Sequence, residues 1–228
     1  ASITLALVGC GRIARQHANG IAAICSETVT ITACVDICVA RAEELAAVIE
    51  KMGYPRPAVF ESLEKAIATG IFTSVDLMLP HQAHLRVSVQ CFDAGLHVML
   101  EKPLAATLED ALKIIDAGKK AIANGQLFMV AENSQYWNEV QCTKKLIQDG
   151  SIGKVLSARA IYNATFNPGD DENVVHADVT KSYAVMVGDH SVTQEKPWRF
   201  DKAATGGGIC IDGGAHWIRP LRIMLGEI

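Results

Sequence analysis

The sequence is poor in aromatic residues, which make up 6% of its 228 positions. It has no apolar run near the roughly 18 residues that would suggest a membrane span. It also has no basic excess: 21 Lys and Arg stand against 25 Asp and Glu, a formal charge of −4. Each shortage removes a class of function. Few aromatics means no platform for stacking bases, and a slightly acidic chain has no general pull toward nucleic acid or anionic membrane. Clustered cysteines are missing too. The seven cysteines, at 10, 25, 34, 38, 91, 142 and 210, are odd in number and scattered. Cys34 and Cys38 are too isolated for a zinc site, which takes four clustered Cys or His ligands, so no metal is expected. Several of the others lie in apolar runs, where a free thiol acts as a small hydrophobe. That usage suits a reducing, cytoplasmic compartment. The opening ASITLALVGCG has no basic region and does not read as a signal peptide. The missing initiator Met suggests processing or trimming.

Half of the residues are hydrophobic and a fifth are charged, an ordinary globular balance. The length suits one large domain, or one domain and part of a second. Apolar or β-branched runs predict strands at 3–9, 28–35, 58–60, 75–79, 96–100 and 127–131. Helices are expected between them at 13–24, 39–51, 63–68, 83–94 and 108–123. The last shows apolar residues at 108, 111, 112, 115 and 122, an amphipathic stripe, and Thr107 with Asp110 resembles a capping box. Strands alternating with helices imply an α/β fold with a doubly wound parallel sheet. Such sheets bind ligands at the carboxyl ends of their strands.

The first strand runs into Gly9-Cys10-Gly11-Arg12-Ile13-Ala14, a GxGxxA turn. Gly9 permits the tight turn, Gly11 lets a pyrophosphate approach the backbone, and small Ala14 allows close packing of helix on strand. The helix that begins at Ile13, just past Arg12, then offers free N–H groups and the positive end of its dipole, so both residues are candidate cofactor contacts. Asp36 ends the second strand, 25 residues past Gly11. A carboxylate near that place accepts hydrogen bonds from the ribose 2′-hydroxyl of NAD and repels a 2′-phosphate. Arg41, one helical turn on, leaves NADP open. Pro80-His81-Gln82-Ala83-His84 follows the fourth strand and Glu101-Lys102-Pro103 the fifth, both on the ligand-binding edge. Pro80, His84, Glu101 and Lys102 are therefore candidate cofactor contacts, although His84 taken alone reads as a hydrogen-bonded loop histidine. His97 lies inside a strand and reads as structural. Pro103 holds Lys102 away from helical geometry, where a partly desolvated lysine can handle a substrate proton.

Together GCGRIA, MLPHQAHLRV, GLHVMLEKPLA and VAEN resemble the Gfo/Idh/MocA oxidoreductases, a group that includes glucose–fructose oxidoreductase and inositol dehydrogenases. The resemblance covers nearly the whole chain. It implies a Rossmann domain over 1–124, followed by an α+β domain over 125–228 with a mostly antiparallel sheet that covers the substrate and mediates homo-oligomerisation. It also implies a nicotinamide cofactor, NAD or NADP, and a small-molecule substrate. Family members carry Asp-x-x-x-His on a helix of the second domain; here that is Asp212 and His216. Four residues apart on one helix face, the carboxylate would orient the imidazole. Lys102, Asp212 and His216 would then form the catalytic group. A histidine of pKa about 6.5 suits proton transfer near neutral pH. A lysine would have to fall from about 10.4 to near 7, about 4 kcal/mol of differential environment. His216 is thus the expected base and Lys102 the donor to the substrate oxygen. Asn133, Trp198 and Arg199 match segments that line the substrate pocket. Where many relatives have an acid three residues past the histidine, this chain has Arg219.

The resemblance implies a second domain that continues past residue 228. The sequence offers it one clear strand, 154–166, and a second, weaker one around 183–187. The chain therefore reads as a fragment or a truncated form, and 167–197 as a long segment over the site. The implied activity is oxidation of a secondary alcohol of a sugar, cyclitol or related polyol, or its reverse. A dinucleotide-binding regulator without chemistry, and a reductase of a non-sugar compound such as a dihydrodiol, are the alternatives.

Overall fold

The computed structural model of the chain describes residues 3–161, 198 and 201–226. Six strands form one parallel sheet: β1 (Ile3–Val8), β2 (Val29–Val35), β3 (Ala58–Phe60), β4 (Ser74–Leu77), β5 (His97–Glu101) and β6 (Phe128–Ala131). Their order across the sheet is β3-β2-β1-β4-β5-β6. The chain winds outward from β1 in one direction, then returns to β4 and winds in the other. The gap between the ends of β1 and β4 is the switch point where such sheets open a crevice. β6 pairs with β5 from Val98–Phe128 to Glu101–Ala131. The sheet therefore extends beyond the division expected at residues 124–125, which falls before its last strand.

Strand residues alternate between two cores. On one face Leu5, Leu7, Ile31 and Cys34 pack against α1 (Arg12–Ile24) and α2 (Val39–Lys51) through Ala14, Ala18, Leu45 and Ile49. On the other face Val75, Leu77, Val98 and Leu100 meet α3 (Leu63–Ile67), α4 (His84–Asp93) and α5 (Leu108–Ala123). Helix α4 starts one residue later than expected, because His81–Ala83 form a 3-10 turn before it. Within α5 the expected apolar stripe is not the face that packs. Leu108, Leu112 and Ile122 are exposed, and the buried residues are Ile114, Gly118 and Ala121. The smaller side chains win because the helix lies directly on Phe128: a Cβ on Gly118 would stand 2.6 Å from that ring. Thr107 caps α5 as expected, its hydroxyl accepting from the Asp110 N–H at 3.1 Å.

After β6 the chain makes a 3-10 turn, Ser134–Tyr136, and α6 (Asn138–Gln148). The strand expected over 154–166 is not formed in its described part, 154–161, which is irregular and mostly exposed. A strand needs a neighbour for its backbone hydrogen bonds, and the described residues offer this segment none. The other expected strand, 183–187, and the segment 167–197 lie outside the described residues. Three further helices, α7 (Lys202–Thr205), α8 (Ile209–Asp212) and α9 (Ala215–Leu225), return to the sheet. There α9 packs on α6 and on the Ser134–Tyr136 turn, and α7 on the His81–Ala83 turn.

Across the switch point one side chain joins three elements. His17 on α1 places Nδ1 2.7 Å from Asp76 Oδ2 on β4, and Nε2 3.1 Å from Glu101 Oε1 on β5. Burial opposes charge on this imidazole, but the hydrogen bonds and charges of the two carboxylates win, and its pKa is raised to about 10. Burial also pushes the Asp76 carboxyl up, while the His17 charge holds it down. The remaining oxygen of Glu101, Oε2, accepts from the Lys102 N–H at 3.0 Å.

Two measurements test this account. Gly118→Ala gains about 1 kcal/mol of helix propensity but overpacks against Phe128 at a cost of about 1–3 kcal/mol. A net loss of about 1 kcal/mol in urea denaturation is therefore expected; a stabilised variant would show that the ring gives way freely. His17→Gln removes the charge and retains polar reach. Because folding raises the His17 pKa, the stability it adds is complete below about pH 6.5 and is lost as pH climbs through about 10. The gap in urea midpoint between the two proteins should close over that range, whereas a constant gap would mean that the ring is uncharged.

Candidate active site

The turn after β1 opens the site. Gly9 has φ +89°, and a Cβ there would lie 2.2 Å from the Met78 carbonyl oxygen, so only glycine lets β1 and β4 end so close together. Gly11, the residue before α1, instead has open space where its Cβ would be. That space belongs to a cavity of about 1020 Å³ that runs along the strand ends. Arg12 and Ile13 line it at the start of α1, as do Gly9, Asp36 and Arg41. A bare backbone turn, a helix start and an acid at the end of β2, all facing one cavity, fit the pyrophosphate and ribose of a dinucleotide. Asp36 is fixed from both sides: Oδ2 accepts from the Cys10 N–H at 2.7 Å and Oδ1 from the Cys38 N–H at 2.8 Å. Burial pushes its carboxyl up, and these two N–H groups with the charge of Arg41 oppose the rise.

Pro80, His81 and Gln82 line the cavity beyond β4. His84 does not. It is fully buried, with Nε2 2.9 Å from the Leu79 carbonyl and Nδ1 3.0 Å from that of Pro103. The sequence expectation of a cofactor contact fails at His84, because the ring is enclosed between the two strand-end loops, within hydrogen-bond distance of carbonyls from both. His81 takes the outward place. Its Nδ1 lies 3.1 Å from the Thr205 carbonyl, and Trp198 packs edge-on at 4.8 Å between ring centroids. Burial lowers the His81 pKa to about 4, so its Nε2 approach to Asp212 Oδ1 at 3.8 Å is no ion pair at neutral pH.

Glu101 and Lys102 reach the cavity from the end of β5. Lys102 Nζ donates to Asp212 Oδ1 at 2.9 Å and to the Asp212 backbone carbonyl at 2.8 Å. This arrangement corrects the expected Asp212–His216 relation. In an unbroken helix the His216 N–H would bond to the carbonyl four residues back, that of Asp212. Here the chain turns at Gly213-Gly214 between α8 and α9, and that N–H goes to the Gly213 carbonyl at 3.1 Å. The Asp212 carbonyl is left for Lys102, and the carboxylate goes with it. His216 is oriented by another acid: its Nδ1 lies 2.8 Å from Glu132 Oε1, just past β6. Trp137 stacks on the imidazole at 6.1 Å and 28°. Both His216 and Asp212 line the same cavity as Gly11.

Asn133 and Trp198 also line the cavity, while Arg199 lies outside the described residues. Arg219 is exposed and donates to Gln135 Oε1, at 2.6 Å from Nη2 and 3.2 Å from Nε. Sequence reasoning passed over Glu132, His17 and His81. Glu132 stands in the VAEN stretch beside the chosen Asn133, and its place at the exit of a strand was the available signal. His17 lies one helical turn and more past the glycine turn, and nothing in its spacing pointed to two acids 59 and 84 residues away. Among the described residues no group of three or more His, Cys, Asp or Glu is placed to hold a metal ion.

Comparison with known proteins agrees with this geometry. Residues 3–131 match the model of an oxidoreductase family with an NAD-binding Rossmann fold, and residues 140–228 match the GFO/IDH/MocA C-terminal domain. A levoglucosan dehydrogenase from Pseudarthrobacter phenanthrenivorans is 30% identical over 67% of this chain and 33% of its own length. An inositol 2-dehydrogenase from Corynebacterium glutamicum is 29% identical over 75% of this chain and 48% of its own. The chain thus spans about a third to a half of these curated relatives. Among solved structures, an oxidoreductase from Thermotoga maritima superposes with a TM-score of 0.74 at 26% identity, covering 100% of this chain and 61% of that one. A levoglucosan dehydrogenase in complex with NADH and levoglucosan shares the fold, with a TM-score of 0.74 at 24% identity over 100% of this chain and 55% of its own. The glycine turn, the strand-end lysine and the two matched segments make this chain a member of the Gfo/Idh/MocA oxidoreductase family.

Proposed function

We infer that the chain carries the active site of an NAD(P)-dependent oxidoreductase that interconverts a secondary alcohol of a sugar, cyclitol or related polyol and its ketone. One observation carries the reading: the open turn at Gly11, the Lys102–Asp212 pair and His216 all face a single cavity. A bound nicotinamide would supply the hydride acceptor. The chain's own residues do the rest. His216 takes the hydroxyl proton as the carbinol C–H bond breaks and the C=O bond forms. Lys102 donates a hydrogen bond to the same oxygen, and Asp212 holds the ammonium in place for it. Asn133 and Trp198 help to shape the pocket, and Arg199 goes with them by resemblance. Asp36 favours NAD over NADP, because a half-buried carboxylate fixed by two N–H groups repels a 2′-phosphate. Names of relatives support the substrate class, with levoglucosan, xylose and inositol dehydrogenases among them. A two-domain chain, self-association through the second domain and a cytoplasmic location go with this reading. Among the described residues no helix is long and apolar enough to cross a membrane.

Titration with NADH should enhance its fluorescence and saturate. In a screen of polyols for reduction of the oxidised cofactor, Lys102→Ala and His216→Asn should each lower turnover by about 10²–10⁴-fold, with NADH affinity retained. Saturable NADH binding with no turnover by the unaltered protein, or turnover indifferent to Lys102→Ala, would favour the dinucleotide-binding regulator. Asp36→Ser should weaken NADH binding and strengthen NADPH binding, so that the ratio of the two dissociation constants moves toward NADPH by about tenfold or more, the worth of one good charged contact. An unchanged ratio would place the ribose elsewhere.

A further inference from the structure

The carboxylate that partners the histidine is not the one four residues before it. Asp212 accepts from Lys102 Nζ through Oδ1 and through its main-chain carbonyl, at 2.9 and 2.8 Å. Glu132 approaches His216 instead, with Oε1 2.8 Å from Nδ1. We propose that Glu132 is a positioning residue that fixes His216 as the Nδ1–H tautomer, leaving Nε2 as the basic nitrogen turned to the substrate hydroxyl. The proposal deepens the oxidoreductase reading and rests on it for the role of Nε2.

Three features support it. A carboxylate oxygen can only accept, so the nitrogen facing it carries the proton, and the other nitrogen of a neutral ring holds the lone pair. Glu132 is itself fixed and ionised. Its Oε1 also accepts from the Ser134 N–H at 2.8 Å. Burial opposes its charge, yet the Ser134 and His216 hydrogen bonds hold its carboxyl below the usual range. The ring, finally, has a neighbour on one face. Trp137 stacks on its face at 6.1 Å, and Trp217 packs against Trp137 with the same centroid separation. A side chain held by a carboxylate at one nitrogen, with an indole beside one face, presents the other nitrogen to the cavity. The result is two carboxylates with separate tasks in one cavity: Asp212 holds the Lys102 ammonium, and Glu132 holds the His216 imidazole.

The test reads the tautomer directly. The chain is prepared with ¹⁵N-labelled histidine, and two-bond ¹H–¹⁵N correlation spectra are recorded on the neutral rings. His216 is assigned by the signals lost in His216→Asn. The unaltered protein should show His216 protonated at Nδ1. Glu132→Ala should return the ring to the Nε2–H form that an unconstrained histidine prefers. Glu132→Gln should reduce the Nδ1–H fraction, because an amide can donate as well as accept; this variant keeps the side-chain volume and decides the matter should the alanine variant not fold. An Nε2–H ring in the unaltered protein, or a tautomer unmoved in Glu132→Gln, overturns the proposal. NADH is titrated into the same samples. Its failure to bind the unaltered protein would sink the oxidoreductase reading and with it the role given to Nε2, whereas a wrong tautomer in a protein that binds NADH sinks the inference alone.

Discussion

Two acids near the carboxyl ends of neighbouring strands, Asp76 fully buried and Glu101 partly so, are held by one imidazole from the first helix. Without His17 they would face each other's charge in a region shielded from water, which is costly. With it, three elements meet at the switch point: α1 from the glycine turn, β4 and β5. The consequence for chemistry is indirect but close. Glu101 uses one oxygen on His17 and the other on the Lys102 N–H. The backbone that carries the ammonium is therefore set by the same clamp that sets the helix facing the dinucleotide. A shift of α1 would be felt at Lys102 through two hydrogen bonds.

From that anchored lysine the rest of the site is assembled. The ammonium takes the carbonyl that the turn at Gly213-Gly214 frees, and takes the Asp212 carboxylate with it. A lysine paired in this way is a fixed hydrogen-bond donor rather than a mobile one. His216 emerges beyond the turn at the start of α9, where Glu132 can reach it. One interruption of a helix thus divides the labour between two carboxylates that a continuous helix would have left to one.

Much of the fold was legible because a doubly wound sheet writes itself in short apolar runs punctuated by glycine, and all six strands were found where those runs lie. The glycine turn was legible for the same reason: Gly9 has no other residue that fits its place. What failed is what depends on distance or on small residues. The apolar stripe of α5 pointed outward because Gly118 and Ala121, which carry little hydrophobic signal, let the helix settle on Phe128. The Asp-x-x-x-His spacing suggested one helix face, and two consecutive glycines inside it should have warned against that. His84 is enclosed and His81 lines the cavity, since a three-residue shift between a 3-10 turn and an α-helix decides which ring reaches it. The bonds of His17 and Glu132 join residues tens of positions apart, and spacing in a single sequence does not encode such pairs.

The site also depends on docking of the last helices onto the strand ends. Contacts that hold that segment include Lys102 on Asp212, His216 on Glu132, His81 on the Thr205 carbonyl, and the Trp198 ring against His81. The Lys102–Asp212 contact joins two charged groups. His81 stays neutral through the physiological range because burial lowers its pKa to about 4. It can therefore donate from Nδ1 to Thr205 and present an uncharged edge to Trp198, whereas an imidazolium there would stand close to the Lys102 ammonium, whose charge already helps to depress it. A neutral histidine between a lysine and an indole adds no second positive charge beside the Lys102 ammonium. The Lys102–Asp212 link lies in the cavity itself, so an interaction that docks the segment is also the one that aims the donor at the substrate oxygen.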